Sequence, residues 1–205
     1  MVGVEDSEWG EKICAAVELR SGHDVVSLRG NHEQMMMDAR LGGVNEDAWL
    51  SFGGRETLAS YGSPGTLADV PERHWRFLEE ECVDWYETDE YFYVHGNVDP
   101  ELPLAEQPLE TLYYAKFDAA LPHVSGKTMI CGHTAQKSGV PADLGFAVCI
   151  DTWVYGDGWL TCLDVPTGRV WQADQKGRRR TAWLNDFTQT VRTVDDAPAE
   201  GPGHG

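Results

Sequence analysis

Basic residues are scarce in this sequence, which has 16 Lys and Arg against 34 Asp and Glu and a formal net charge of −18. A phosphate backbone is bound by a basic face, so the charge argues against nucleic acid as a partner, and it also disfavours anionic membranes. No run approaches the ~18 apolar residues of a membrane span. The N-terminal residues also lack the basic and apolar regions of a signal peptide. We therefore expect a cytoplasmic protein.

Cysteine is also sparse, with five residues and no CxxC pair. An odd number without such pairs gives no sign of a disulfide framework. Cys131, Cys149 and Cys162 lie inside apolar runs. We predict that these three are small buried hydrophobes in a reducing compartment, and metal ligation is the minor alternative.

The remaining composition is that of a folded domain. The chain has 205 residues, of which 41% are hydrophobic and 24% charged, both ordinary for a globular protein. We expect one α/β domain over residues 1–173 and a polar C-terminal extension over 174–205 that is partly disordered. Periodicity and turn residues predict helices over 7–19, 34–41 and 71–82, and strands over 24–28, 91–94, 127–131, 146–150, 159–163 and 169–173.

Three of the predicted strands deliver polar residues where they end. The strand over 24–28 is followed by Gly30 and then by Asn31, His32 and Glu33. Two later strands end at His95 and at His133. Ligands and metals bind at the carboxyl ends of strands in open α/β sheets. We therefore predict that Asn31, His95 and His133 share one site, against the alternative that they only cap helices and shape loops.

The order of these motifs resembles a known family. LRGNHE at 28–33, VHG at 94–96 and GHT at 132–134 are similar to the later signature blocks of calcineurin-like metallophosphoesterases. The likeness is greatest to the bacterial branch of the serine/threonine phosphoprotein phosphatases, and it covers about residues 5–173. It implies a sandwich of two mixed β-sheets flanked by helices, with a two-metal site at the strand ends.

The resemblance implies roles for individual residues. Asn31, His95 and His133 would ligate a divalent metal ion, with manganese expected first and iron, zinc or magnesium as alternatives. His32 would protonate the leaving alkoxide. Apart from the resemblance, the carboxylate of Glu33 is suited to orient a neighbouring side chain. The substrate would be a phosphorylated protein or a small phosphoester.

Two further residues are candidates for contacting phosphate or substrate. Lys116 lies where many relatives place an arginine that holds phosphate, although a lysine cannot form the bidentate contact of a guanidinium. Tyr155 matches a tyrosine near the family's substrate groove. For both residues a purely structural role is the alternative.

The family's two opening blocks, GDxHG and GDxxDRG, do not occur in the 205 residues. In relatives they supply the second metal's ligands and the bridging carboxylate. We therefore expect at most one metal ion here and weak or no turnover by this chain alone. The missing strands should also leave the strand over 25–28 short of partners. The alternatives are a non-catalytic binding protein, a dinucleoside polyphosphate hydrolase and a mononuclear zinc hydrolase. The oligomeric state is left open.

Overall fold

The computed structural model describes residues 22, 24–42 and 46–187. The helices are α1 (Asn31–Arg40), α2 (Glu46–Trp49), α3 (Arg55–Ala59), α4 (Glu72–Arg76) and α5 (Leu109–Tyr114), with π-helical segments at Leu50–Gly54 and Phe77–Glu81 and 3₁₀ turns at Leu67–Asp69, Leu104–Glu106 and Phe117–Ala119. Across the described ranges, every helix is too short or too polar to traverse a bilayer.

The strands form three sheets. Their bounds are β1 Ser27–Leu28, β2 Cys82–Val83, β3 Trp85–Glu87, β4 Tyr91–Val94, β5 Thr128–Cys131, β6 Ala142–Asp143, β7 Ala147–Cys149, β8 Leu160–Asp164, β9 Arg169–Ala173 and β10 Arg179–Trp183.

The largest sheet has five strands in the order β3-β4-β5-β7-β6. Its three central strands are parallel, and β3 and β6 are antiparallel edges. Tyr93 pairs with Ile130, which pairs in turn with Val148. Because the central strands are parallel, their carboxyl ends lie along the same edge of the sheet.

One face of this sheet forms a hydrophobic core with α5. Alternate residues of β4 point into it, as the two-residue period of a strand requires. Phe92 and Val94 are almost fully buried against Leu112 and Tyr113 of α5. A second core lies among the N-terminal helices and contains Met36, Ala39, Trp49, Leu58, Val70, Trp75, Phe77, Leu78 and Cys82.

The smaller sheets are β10-β9-β8, which is antiparallel, and the parallel pair β1-β2. A cavity of about 120 Å³ is lined by residues of β1, of β8, of the large sheet and of the segment between β7 and β8. Leu28 and Leu160 line its sides, and Tyr93 and Ile130 contribute from the large sheet. The predicted α/β class, with a five-stranded mixed sheet and a further sheet flanked by helices, is confirmed.

Most predicted elements are present with slightly different ends. The strand over 91–94 is confirmed, and the hairpin over 159–173 corresponds to β8 and β9. The strand over 24–28 is reduced to the two residues of β1, whereas the helix expected from Gln34 begins at Asn31. The helix over 7–19 lies outside the described residues. The division of the chain at residue 173 stays a prediction.

Two features differ from the expectations drawn from the sequence. The strand β10 was not predicted, and it pairs with β9 along its whole length. The prediction that Cys162 is buried is wrong, because it occupies an outward position of β8 next to the buried Thr161. Cys131 and Cys149 are buried as expected.

Candidate metal centre

Neighbouring parallel strands bring the two histidines together. The sheet register pairs Tyr93 of β4 with Ile130 of β5, and both strands then end at the same edge of the sheet. Just beyond the strands, the Gly132 N–H donates to the His95 carbonyl over 2.9 Å. His95 and His133 therefore face each other with ring centroids 5.0 Å apart.

Asn31 joins this pair from the start of α1. His95 Nε2 lies 2.8 Å from Asn31 Oδ1 and 3.2 Å from His133 Nδ1. Asn31 and His95 are 64 positions apart in the sequence, and His95 and His133 are 38 positions apart. The structure thus brings together the three residues that the sequence placed in one site. We call Asn31, His95 and His133 the ligand cluster.

The backbone of His133 has an uncommon conformation. Its φ is 59°, in the left-handed region that residues with a β-carbon seldom adopt. The Thr134 N–H donates to Gly132 O over 2.6 Å, which closes a tight turn around His133. Such a conformation costs of order 1–3 kcal/mol, and residues of this kind are concentrated at functional sites.

Both imidazoles are neutral near pH 7. Burial holds the pKa of His95 well below its usual range. Burial, together with the positive charge of Lys116, lowers the pKa of His133 to about 4. A neutral imidazole has one ring nitrogen without a proton, so binding of an ion requires no net loss of a proton from either ring, although His95 would have to carry its proton on Nδ1.

Two groups contact Nε2 of His133, the ring nitrogen that is not in contact with His95. Nε2 is 3.2 Å from the Tyr114 carbonyl and 3.2 Å from Lys116 Nζ. The carbonyl can only accept, so this contact requires a proton on Nε2 and leaves a lone pair on Nδ1 facing His95. A hydrogen bond from the ammonium would require the opposite tautomer. The carbonyl contact is therefore the one compatible with ligation through Nδ1.

Residues that follow His95 and His133 both form hydrogen bonds to the backbone of the segment that carries Lys116. Asn97 Nδ2 donates to Lys116 O over 2.8 Å, and the Phe117 N–H donates to Thr134 Oγ1 over 2.8 Å. Sequence reasoning missed Asn97, which is buried, although its place directly after His95-Gly96 could have indicated it.

Gly96 permits a close backbone approach at this point. Its N–H donates to Leu112 O over 2.7 Å. A β-carbon at this position would lie 2.9 Å from Leu112 O and 3.0 Å from Ala115 O. Since both neighbours are backbone atoms, a larger residue would push α5 away from the cluster.

His32 and Glu33 flank the cluster in the first turn of α1. His32 is half-buried, and its positive charge would lower the pKa values of both His95 and His133. Glu33 is buried, and its Oε2 accepts from the Gly30 N–H over 2.8 Å. Burial raises the pKa of Glu33 to about 7.

Tyr155 lies in the turn between β7 and β8. It is 43% exposed and packs edge-on against Trp153 at 6.4 Å. Burial, with a smaller effect from the nearby charge of Asp151, raises the pKa of Tyr155. Within the described part of the chain no hydrogen bond joins Tyr155 to the ligand cluster, so its substrate role stays a prediction.

The donor set of the cluster fits a divalent cation. Neighbouring ligands at about 2.1 Å from a metal are about 3.0 Å apart in octahedral and about 3.4 Å apart in tetrahedral coordination. The observed separations of 2.8 and 3.2 Å are close to these values. The described ranges contain no group of three His, Cys, Asp or Glu residues that could hold a metal ion, so a third donor at this cluster would have to be the amide oxygen of Asn31.

One member of the cluster has a ring nitrogen that is not satisfied within the described residues. His95 Nδ1 is buried without a hydrogen-bond partner, and it is the one side-chain atom of this kind among the described residues. Its Nε2, in contrast, faces both Asn31 and His133. The hydrogen bonds within the cluster therefore leave the His95 side chain incompletely satisfied.

Comparison with known proteins gives no close relative. No family model matches the sequence, and no curated protein matches it significantly. The similar solved structures include a proposed diadenosine tetraphosphatase, with 12% identity, 83% of this chain and 72% of that chain covered, and a TM-score of 0.46.

Another is the cold-active protein tyrosine phosphatase of a psychrophilic Shewanella species, with 18% identity and a TM-score of 0.47. The match covers 83% of this chain, which thus spans 64% of the length of that enzyme. These scores are too low to identify the function of this chain.

Proposed function

We propose that this chain is a metal-dependent phosphoesterase of the serine/threonine phosphoprotein phosphatase type. The observation that carries the proposal is that His95 Nε2 lies 2.8 Å from Asn31 Oδ1 and 3.2 Å from His133 Nδ1. The substrate class would be phosphomonoesters, on proteins or on small molecules.

The chain's own residues would have distinct tasks. Asn31, His95 and His133 would hold one divalent ion, for which we take manganese as the first candidate. When bound, such an ion supplies Lewis acidity toward phosphate oxygens and lowers the pKa of water. Tyr114 O would keep the proton of His133 on Nε2, away from the ligating nitrogen.

His32 is our candidate for the general acid. It directly follows Asn31 in the first turn of α1, and its positive charge would lower the pKa values of His95 and His133. An imidazole can donate a proton to a leaving alkoxide near neutral pH. Lys116, whose Nζ is 3.2 Å from His133 Nε2, would offer positive charge to a substrate phosphate at the rim.

All three donors of the cluster are neutral, which limits the expected activity. Carboxylates are the usual means of offsetting the charge of two adjacent dications, and none is among the donors of this cluster. We therefore expect binding of a single Mn²⁺ and slow hydrolysis at most by the 205-residue chain.

Metal binding is the direct test. The chain, stripped with chelator, would be titrated with MnCl₂ in a calorimeter, and hydrolysis of p-nitrophenyl phosphate would be followed with and without the ion. We expect one saturable Mn²⁺ site, which is lost in His133→Ala.

The matched control is His123→Gln. His123 is a buried histidine that bonds to Leu102 O and Ser125 Oγ away from the cluster. This variant should bind Mn²⁺ like the wild type. Absence of any saturable site for Mn²⁺ or Zn²⁺ in the folded chain, or a site that survives in His133→Ala, would contradict the proposal.

A further inference from the structure

A single carboxylate connects the two regions that form the candidate site. Asp84, in the bend between β2 and β3, accepts from Arg29 Nη1 over 3.0 Å. The Tyr113 hydroxyl donates to the same oxygen, Oδ1. Asp84 is 55 positions from Arg29 and 29 from Tyr113 in the sequence. We call Arg29, Asp84 and Tyr113 the Asp84 triad.

Arg29 anchors the residues that lead to Asn31. Its backbone N–H donates to Val83 O over 2.8 Å. Its guanidinium also donates to Leu78 O over 2.9 Å and to Cys82 O over 3.1 Å. β1 is only two residues long, and these side-chain bonds add to its backbone pairing in holding this stretch in place.

Tyr113 anchors the opposite side of the site. It is 1% exposed and precedes Tyr114, whose carbonyl contacts His133 Nε2. Burial and the bond to Asp84 raise the pKa of its hydroxyl, which therefore stays a proton donor. A buried hydroxyl that lost its acceptor would be left unsatisfied at a cost of about 1–3 kcal/mol.

We propose that Asp84 is a positioning residue for the metal site. Through Arg29 it fixes the stretch that carries Asn31, and through Tyr113 it fixes the end of α5 that carries the Tyr114 carbonyl. It thereby sets the distance between the amide oxygen of Asn31 and the imidazole nitrogens of His95 and His133. This inference rests on the proposed function, because it concerns the same ion.

Metal affinity and ligand-field spectra test this role. Mn²⁺ affinity would be measured by calorimetry, and the visible absorption of bound Co²⁺ would report the coordination geometry. For Asp84→Ala we expect Mn²⁺ binding to weaken about 10- to 100-fold, as is typical when a partner of a ligating residue is lost. The Co²⁺ bands should also shift. Asp84→Asn keeps an acceptor oxygen and should recover part of the affinity.

The control is Glu87→Gln, which removes the ion pair between Glu87 and Lys127 three residues further along the same chain segment. It should leave the Mn²⁺ affinity and the Co²⁺ spectrum unchanged. Circular dichroism at the assay temperature would show that each variant is folded. If Asp84→Ala does not fold, Tyr113→Phe tests the positioning role instead. We expect this variant to bind Mn²⁺ about 3- to 10-fold more weakly than the wild type.

The outcomes separate the two proposals. A wild-type chain without a Mn²⁺ site overturns the proposed function and this inference with it. A wild-type chain that binds Mn²⁺, with wild-type affinity and spectrum in both Asp84→Ala and Tyr113→Phe, overturns this inference alone. A weakened site with a shifted spectrum in Asp84→Ala, partly restored in Asp84→Asn, supports it.

Discussion

The ligand cluster is assembled from two regions that are built differently. His95 and His133 follow β4 and β5, strands of four residues each that lie inside the five-stranded sheet. Asn31 follows β1, which has two residues and pairs with the two residues of β2. We call these regions the sheet arm and the β1 arm.

The difference shows two ways of positioning a ligand. The sheet arm places its histidines through backbone register and through the close packing of Gly96 on α5. The β1 arm relies on side chains, because Arg29 and Glu33 hold the turn around Gly30. The sheet arm should therefore be sensitive to backbone crowding, and the β1 arm to the loss of polar side chains.

Deletion of single ligands should give the largest effects and should differ between the arms. His95→Ala removes the donor at the centre of the cluster, and we expect Mn²⁺ affinity to fall by about 100-fold or more. Asn31→Ala removes a neutral oxygen that water can replace, and a loss of about 10-fold is expected. Calorimetric titration would measure both. Equal losses in the two variants would contradict a central role for His95.

Crowding of the sheet arm comes next in size. Gly96→Ala places a β-carbon 2.9 Å from Leu112 O, and we expect a loss of roughly 3 kcal/mol in the free energy of unfolding. The control is Gly62→Ala, where the nearest atom would be 3.9 Å away and where little change is expected. Urea titration would measure both variants. A Gly96→Ala protein as stable as Gly62→Ala would show that α5 can shift without cost.

The β1 arm should respond to pH through Glu33. Its pKa in the folded chain is about 7, above the usual 4.5, so the folded state binds the proton more tightly than the unfolded state. The contribution of protonated Glu33 to the free energy of unfolding is full below about pH 4.5 and is lost as the pH rises through 7.

We therefore expect the Tm to fall by roughly 5–10 °C between pH 5 and pH 8. Glu33→Gln keeps an acceptor for the Gly30 N–H but cannot titrate, so it should abolish the fall in Tm that Glu33 causes. Exposed Glu80 provides the control substitution, Glu80→Gln. Parallel slopes for wild type and Glu33→Gln in thermal melts would rule out the assignment.

The smallest effect concerns the sheet arm in mild acid. A histidine with an ordinary pKa of about 6.5 is mostly protonated at pH 5.5, whereas His133, with a pKa of about 4, stays neutral there. We expect the Mn²⁺ affinity to change less than about threefold between pH 7 and pH 5.5. Loss of affinity with a midpoint near pH 6.5 would show that His133 titrates normally.

The sequence was most informative for the sheet arm. A strand such as Tyr91–Val94 is aromatic, β-branched and bounded by turn residues, so its local pattern identifies it. The end of each such strand then marks a place for ligands, and His95 and His133 stand at those positions in the sequence. Asn31 was predicted for the same reason, although β1 is shorter than its apolar run suggested.

Other features depend on contacts that no local pattern reveals. The strand β10 contains Arg179 and Arg180, and such a charged run predicts a solvated surface. In the structure Arg180 packs its guanidinium 4.2 Å from the ring centre of Trp159 and bonds to Gln172, so an arginine occupies an inward position. Asp84 was missed because its partners lie 55 and 29 residues away.

The contact between His133 and residue 114 has a consequence for anyone who looks for this site in other sequences. The acceptor is a main-chain carbonyl, which every amino acid provides. The side chain at position 114 can therefore be substituted without changing which nitrogen of the His133 imidazole carries the proton. A search template for such centres should specify the path of the backbone after α5 and leave the side chain at 114 unspecified.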